Sequence, residues 1–89
     1  MTAVVDEVWT AVGDPNRRRL LDLLLDAGES TPTKLANQLP LTRQAVSKHL
    51  AVLERAGLVN STHQGREMTF RIRAAEFDQA TRSIAEVAA

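Results

Sequence analysis

At 89 residues, with 44% apolar and 25% charged side chains, the chain has the makeup of one small globular domain spanning 1–89, neither disordered nor membrane-spanning. It contains no cysteine, which excludes a disulfide framework, a thiol nucleophile and a thiolate metal site. No apolar run of about 20 residues could cross a bilayer, and MTAVVDEVW puts acidic residues where a signal peptide carries basic ones, so a cytoplasmic protein with no membrane partner is expected.

Eleven basic and eleven acidic side chains cancel, yet they are segregated along the chain. Residues 1–29 carry a net −3, residues 30–75 a net +5 and residues 76–89 a net −2. A positive field confined to the middle half, flanked by acidic ends, is compatible with a nucleic-acid surface despite the zero sum.

In chain order, Val4, Val5, Val8, Trp9 and Val12 form a wide apolar stripe at helical spacing, with Asp6 and Glu7 near its positive end. Gly13 closes this first helix. Asp14-Pro15 then offers a capping carboxylate followed by proline at the first helical position, starting a second helix that runs to Ala27. Its leucines 20, 21, 23, 24 and 25 cover most of its circumference, which predicts a central helix. Arg17, Arg18 and Arg19 lie within helical reach of Asp14, Asp22 and Asp26. Paired or solvated surface charge is the simpler reading of that run, with Arg18 and Asp22 four apart, and a phosphate-binding role stays open.

Thr31-Pro32 repeats the cap-and-proline pattern and opens a short third helix with Leu35 and Leu39 on one side; Pro40 ends it near Gln38. Thr42 can cap a fourth helix, with Leu41 placed to pack on Val46 as a hydrophobic staple. Val46, Leu50 and Leu53 recur at helical spacing as a buried stripe, and Gly57 stands where a left-handed residue ends a helix. The opposite side near the start shows Arg43, Gln44, Ser47 and Lys48, with no acidic residue. Two short helices across so brief a turn, the second presenting basic and amide groups, predict a helix-turn-helix.

After Gly57 the period changes to two. Val59, Ser61 and His63, then Met68, Phe70 and Ile72, alternate with their neighbours around the turn Gln64-Gly65-Arg66-Glu67, which predicts a hairpin with an apolar inner and a basic outer face. A basic hairpin directly after a reading helix is a wing, and an arginine at its tip suits the negative potential of a narrow minor groove. From Ala74 a last amphipathic helix carries Phe77, Ala80, Ile84, Val87 and Ala88 close to heptad spacing. The fold class expected is mainly α with a small β-hairpin, in the order α-α-α-α-β-β-α.

Two stretches, VWTAVGDPNRRRLLDLLL at residues 8–25 and LTRQAVSKHLAVLERAGLV at 41–59, resemble the bacterial ArsR (ArsR/SmtB) family of winged helix-turn-helix repressors. The resemblance covers nearly the whole chain. It implies a homodimer that binds an inverted repeat in promoter DNA, with helix 42–56 in the major groove and wing 58–73 at the flanking minor groove. Mapped onto this sequence, Thr42, Arg43, Gln44, Ser47, Lys48, His49 and Arg66 fall in the DNA-contacting segments. Many relatives sense metals through cysteines on the third helix or His and Asp pairs on the last; neither set is present here, so no metal, cofactor or inducing ligand is assigned. Pro40 stands where relatives often have glycine.

Arg43 and Lys48 can each meet a phosphate or a guanine edge, Gln44 can pair with adenine, and Ser47 with either groove partner. His49 lies at the edge of the Val46 stripe, where a structural or phosphate-bonding role competes with base reading. His63 reads as a strand surface residue. The apolar stripes at the two ends, Val5, Val8, Trp9 and Val12 with Phe77, Ala80, Ile84 and Val87, are expected at a two-fold dimer interface, the alternative being that they complete the monomer core. His49 and His63 have no metal-ligand spacing, and no nucleophile, base and oxyanion pattern accompanies Ser47, so an enzyme is not expected. The rival reading is a winged-helix module that binds another protein without sequence-specific DNA binding.

Overall fold

The computed structural model describes the backbone of residues 3–88 and the side chains of residues 6–87. Its elements are α1 (Ala3–Val12), α2 (Pro15–Ala27), α3 (Pro32–Asn37), α4 (Arg43–Arg55), β1 (Val59–Gln64), β2 (Glu67–Ile72) and α5 (Ala74–Ala88). This is the winged helix-turn-helix order expected from the sequence.

The helix boundaries follow from local chemistry. The Asp14 carboxylate accepts from the backbone N–H groups of Asn16 and Arg17, and Pro15 fills the next position, where a missing N–H costs nothing. Thr31 caps α3 by accepting from Lys34, and Thr42 caps α4 by accepting from Ala45 at 3.0 Å. At the other end of α4, Gly57 has φ 81°, its N–H donates to Glu54, and the N–H of Leu58 donates back to Leu53. That pair of bonds is a Schellman ending: it satisfies carbonyls the helix leaves free and needs glycine at the left-handed position. Leu53 and Leu58, the two side chains this ending brings together, are both buried.

One apolar core joins α2, α3, α4 and the base of the wing. Leu20, Leu24, Leu35, Val46, Leu50, Leu53 and Val59 are fully enclosed, each contributing on the order of 1.5–3 kcal/mol of burial. Leu41 is half-buried against the same cluster, as a staple residue must be. The expected burial of α2 over most of its circumference needs correction. Leu20, Leu21 and Leu24 are buried and Leu23 packs at the edge, but Leu25 is 52% exposed, because α2 has neighbours on only part of its circumference.

β1 and β2 pair antiparallel from Val59 opposite Ile72 to Gln64 opposite Glu67. The two-residue turn has Gly65 at φ 66° and Arg66 at negative φ, the arrangement of a type II′ hairpin, whose twist matches the strands. Ser30, between α2 and α3, adds a bridge to Phe70 through two backbone hydrogen bonds, which ties the wing to the helical body. The simple alternation predicted for β2 breaks at one residue: Thr69 is buried alongside Phe70, while Met68 and Ile72 are half-buried.

The arginine run behaves differently from the expected pairing with carboxylates. Arg18 donates to the carbonyl of Val12 and not to Asp22, Arg19 donates to Asn16, and Arg17 reaches the end of α1. The carbonyls that end α1 have no partner within the helix and carry its negative end, so nearby guanidinium groups bind there in preference to solvated carboxylates. No helix among the described residues is long and apolar enough to cross a membrane.

Candidate nucleic-acid interface

Burial of Val46, Leu50 and Leu53 fixes the rotation of α4 and so decides which side chains face outward. Thr42, Arg43, Gln44, Ser47 and Lys48 are all exposed, on the first two turns of the helix. Thr42 spends a lone pair on the Ala45 N–H, and its own hydroxyl proton remains available to an acceptor.

The hairpin turns back toward this end of α4. Arg43, Ser47 and Arg66 line a single cleft of about 230 Å³, together with Thr31, Thr33, Glu67 and Met68. The structure therefore brings together one residue from each turn of the helix start and the wing-tip arginine, which are separated by about 20 positions in sequence. Two guanidinium groups and three hydroxyls, against the single carboxylate of Glu67, surround one opening and form a donor-rich surface suited to anionic oxygens.

Thr33, which the sequence does not single out, also lines this cleft. Its sequence signal is the Thr-Pro-Thr start of α3, informative only about the helix boundary until α3 is docked on α4. The outer face of the wing is also less basic than expected. Arg71 is ion-paired with Glu29, and Arg73 with Glu76 at 2.8 Å, so both charges are partly neutralised and Arg66 is the wing arginine left facing the cleft. His63 is exposed on β1, consistent with a strand surface residue.

His49 occupies a different position from the other predicted readers. It is half-buried, and its Nδ1 lies 3.3 Å from Nη1 of Arg17. Asp14 stands in the same neighbourhood. Partial desolvation pushes its carboxyl up, but the N–H bonds from Asn16 and Arg17 and the positive field of the Arg17 guanidinium outweigh this and hold it below the ordinary carboxylate value.

The residues expected at a dimer interface fall on α1 and α5. Val8 is almost closed off within one chain, Val12, Phe77, Ala80 and Ile84 are half-buried, and Trp9 and Val87 are 40% and 73% exposed. The side chain of Val5 lies outside the described residues. Two apolar grooves flank α5, one of about 210 Å³ lined by Val8, Trp9, Leu58 and Ile84, the other of about 430 Å³ lined by Trp9, Val12, Leu21 and Phe77. Among the described residues no cluster of His, Asp or Glu is placed to hold a metal ion.

Residues 12–62, from the end of α1 into the wing, match the family described as "Helix-turn-helix domain". An uncharacterized HTH-type transcriptional regulator of Bacillus subtilis, YuzN, is 43% identical over 68% of this chain and 73% of its own length. An ArsR-like transcriptional regulator from Rhodococcus superposes with a TM-score of 0.81 at 34% identity, over 97% of this chain and 80% of the other. This chain belongs to the ArsR-type winged helix-turn-helix transcriptional regulators. A third relative, the winged helix-turn-helix DNA-binding domain Mb0332 from Mycobacterium bovis, is described as homodimeric. It superposes at 0.80 with 26% identity, over 96% of this chain and 78% of that one. As an ArsR-type regulator, the chain is a DNA-binding protein whose site is to be sought on the helix-turn-helix and wing.

Proposed function

We propose that this chain is a homodimeric repressor that binds an inverted-repeat promoter site in double-stranded DNA. Helix 42–56 enters the major groove and wing 58–73 lies at the flanking minor groove. The observation that carries the reading is the shared cleft of Arg43, Ser47 and Arg66, with Gln44 and Lys48 exposed on the same end of α4. Arg43 and Gln44 have the donor and acceptor patterns that discriminate base edges, whereas Lys48, Thr42 and Thr33 suit phosphate oxygens and set register. Arg66 reaches the minor groove from the wing tip.

Two copies related by a two-fold axis present two such helices to one face of the duplex, which is why the site is an inverted repeat. The half-exposed stripe of Trp9, Val12, Phe77, Ala80, Ile84 and Val87 supplies the contact between copies, and the homodimeric Mycobacterium bovis domain supports this assignment. Repression follows from occupancy: a dimer seated on a promoter excludes the transcription machinery.

The test is selection of bound duplexes from a random pool, followed by titration of the selected duplex at rising salt. We expect an inverted repeat and an affinity that falls steeply between low and moderate salt, because each neutralised phosphate releases counterions. A pool with no common sequence and a flat salt response would instead favour a protein-binding winged helix.

A further inference from the structure

His49 is the one predicted DNA-contact residue that another side chain already holds, and the group holding it comes from outside the helix-turn-helix pair. Arg17, in the first turn of α2, uses its whole guanidinium fork. Nε donates to the carbonyl of Ala11 at 2.6 Å, Nη2 donates to the carbonyl of Thr10 at 2.9 Å, and Nη1 faces Nδ1 of His49 at 3.3 Å. The first two bonds fix the plane of the guanidinium on the C-terminal end of α1, where the carbonyls' spare acceptor capacity and the negative helix end favour a cation. The third then has a defined direction.

Arginine has donors only and does not lose its proton, so a hydrogen bond from Nη1 requires Nδ1 of His49 to be the acceptor. Nδ1 is then unprotonated and the ring proton sits on Nε2. Nε2 has no partner among the described residues, and no buried side-chain nitrogen there is left unpaired, so Nε2–H reaches the surface of α4.

We propose that Arg17 is a positioning residue for DNA recognition: anchored on the end of α1, it holds His49 in the Nε2–H form and so presents that N–H as a donor to a phosphate oxygen of the duplex. The proposal rests on the reading of α4 as the DNA-contacting helix. It also accounts for the arginine at this place in the run. A lysine is a point donor and cannot span two carbonyls and an imidazole in one plane. Through this fork the last turn of α1, which also bears the apolar stripe, and the recognition helix share one hydrogen-bonded group.

Nitrogen NMR of the imidazole in the free protein at alkaline pH reads the tautomer directly. In the wild-type chain we expect an unprotonated Nδ1 and a protonated Nε2, and in Arg17→Met a mixture of the two forms. A protonated Nδ1 in the wild type, or an unchanged pure Nε2–H form in the variant, overturns the assignment. Should Arg17→Met fail to fold, Arg17→Lys takes its place with the same two readings.

A double-mutant cycle on the selected duplex is the second measurement. Arg17→Met and His49→Ala should each weaken binding about tenfold, and the double variant by about the same tenfold, because both remove one charge-supported contact. A loss of about a hundredfold in the double variant would mean that the two residues act independently, and overturns the proposal. Arg43→Ala in the same titration separates the two readings. If it weakens binding while Arg17→Met does not, the role of Arg17 alone falls. If neither weakens binding, the DNA-contacting role of α4 falls as well.

Discussion

The start of α4 and the length of α5 are both amphipathic, but they expose opposite things. On α4 the apolar stripe of Val46, Leu50 and Leu53 is completely enclosed by α2, α3 and the wing, so only polar and basic groups face outward. On α5 the polar side is solvated and the apolar side is only half covered: Phe77 and Ala80 reach the core, Ile84 is half-buried and Val87 is open. The basic middle of the chain is finished as a fold and incomplete as a charge distribution, lacking an anionic partner. The acidic ends give Glu29 and Glu76 to ion pairs with Arg71 and Arg73 of the middle and are incomplete as packing. A small chain that closes one core fully leaves apolar surface at its termini, and in the proposed homodimer a second copy covers it with apolar surface that matches by symmetry.

The largest effect expected from breaking this contrast is at the ends. Ile84→Asp puts a charge where the proposed dimer brings two apolar stripes together, and sedimentation should show conversion of dimer to monomer with helix content retained. An intact dimer would relocate the interface away from α5. In the middle, Leu50→Ala opens a void in the one closed core and should cost about 2–5 kcal/mol in chemical unfolding. A cost under about 1 kcal/mol would mean the middle is not the self-sufficient part.

Smaller losses test the polar face. Arg43→Ala or Gln44→Ala should weaken binding to the selected duplex by about 1–3 kcal/mol with no change in unfolding midpoint, as expected of exposed side chains. Wild-type affinity in both would remove them as base readers.

Smallest is a pH effect at the junction between the two regions. The folded-state value of Asp14 is depressed, so its contribution to stability is present above the unfolded carboxylate value and is lost as pH falls through the lower folded value. Asp14→Asn should therefore lose some stability at neutral pH and show a shallower acid limb in thermal melts. An acid limb identical to the wild type would show that the cap's charge carries no weight there.

Much of this protein is legible in its sequence. The caps at Asp14, Thr31 and Thr42, the prolines beside the first two, the glycines at 57 and 65 and the change from helical to alternating period set every element, because each depends on hydrogen bonds within a few residues. The stripe of Val46, Leu50 and Leu53 also dictates which side of α4 faces out, and with it the exposure of Arg43, Gln44, Ser47 and Lys48. What the sequence left open are the contacts between elements. That Arg17 and Arg18 bind the end of α1 and not carboxylates, that Arg71 is taken by Glu29, that Leu25 is exposed and Thr69 buried, and that Thr33 shares a cleft with Arg66 all depend on how the helices dock. Local chemistry thus settled the elements and their outward faces, since capping and periodicity act at short range. Only tertiary packing decided the partners of the long charged side chains. Such a chain reaches several acceptors of similar strength, and the nearest one is chosen by geometry that sequence spacing does not encode.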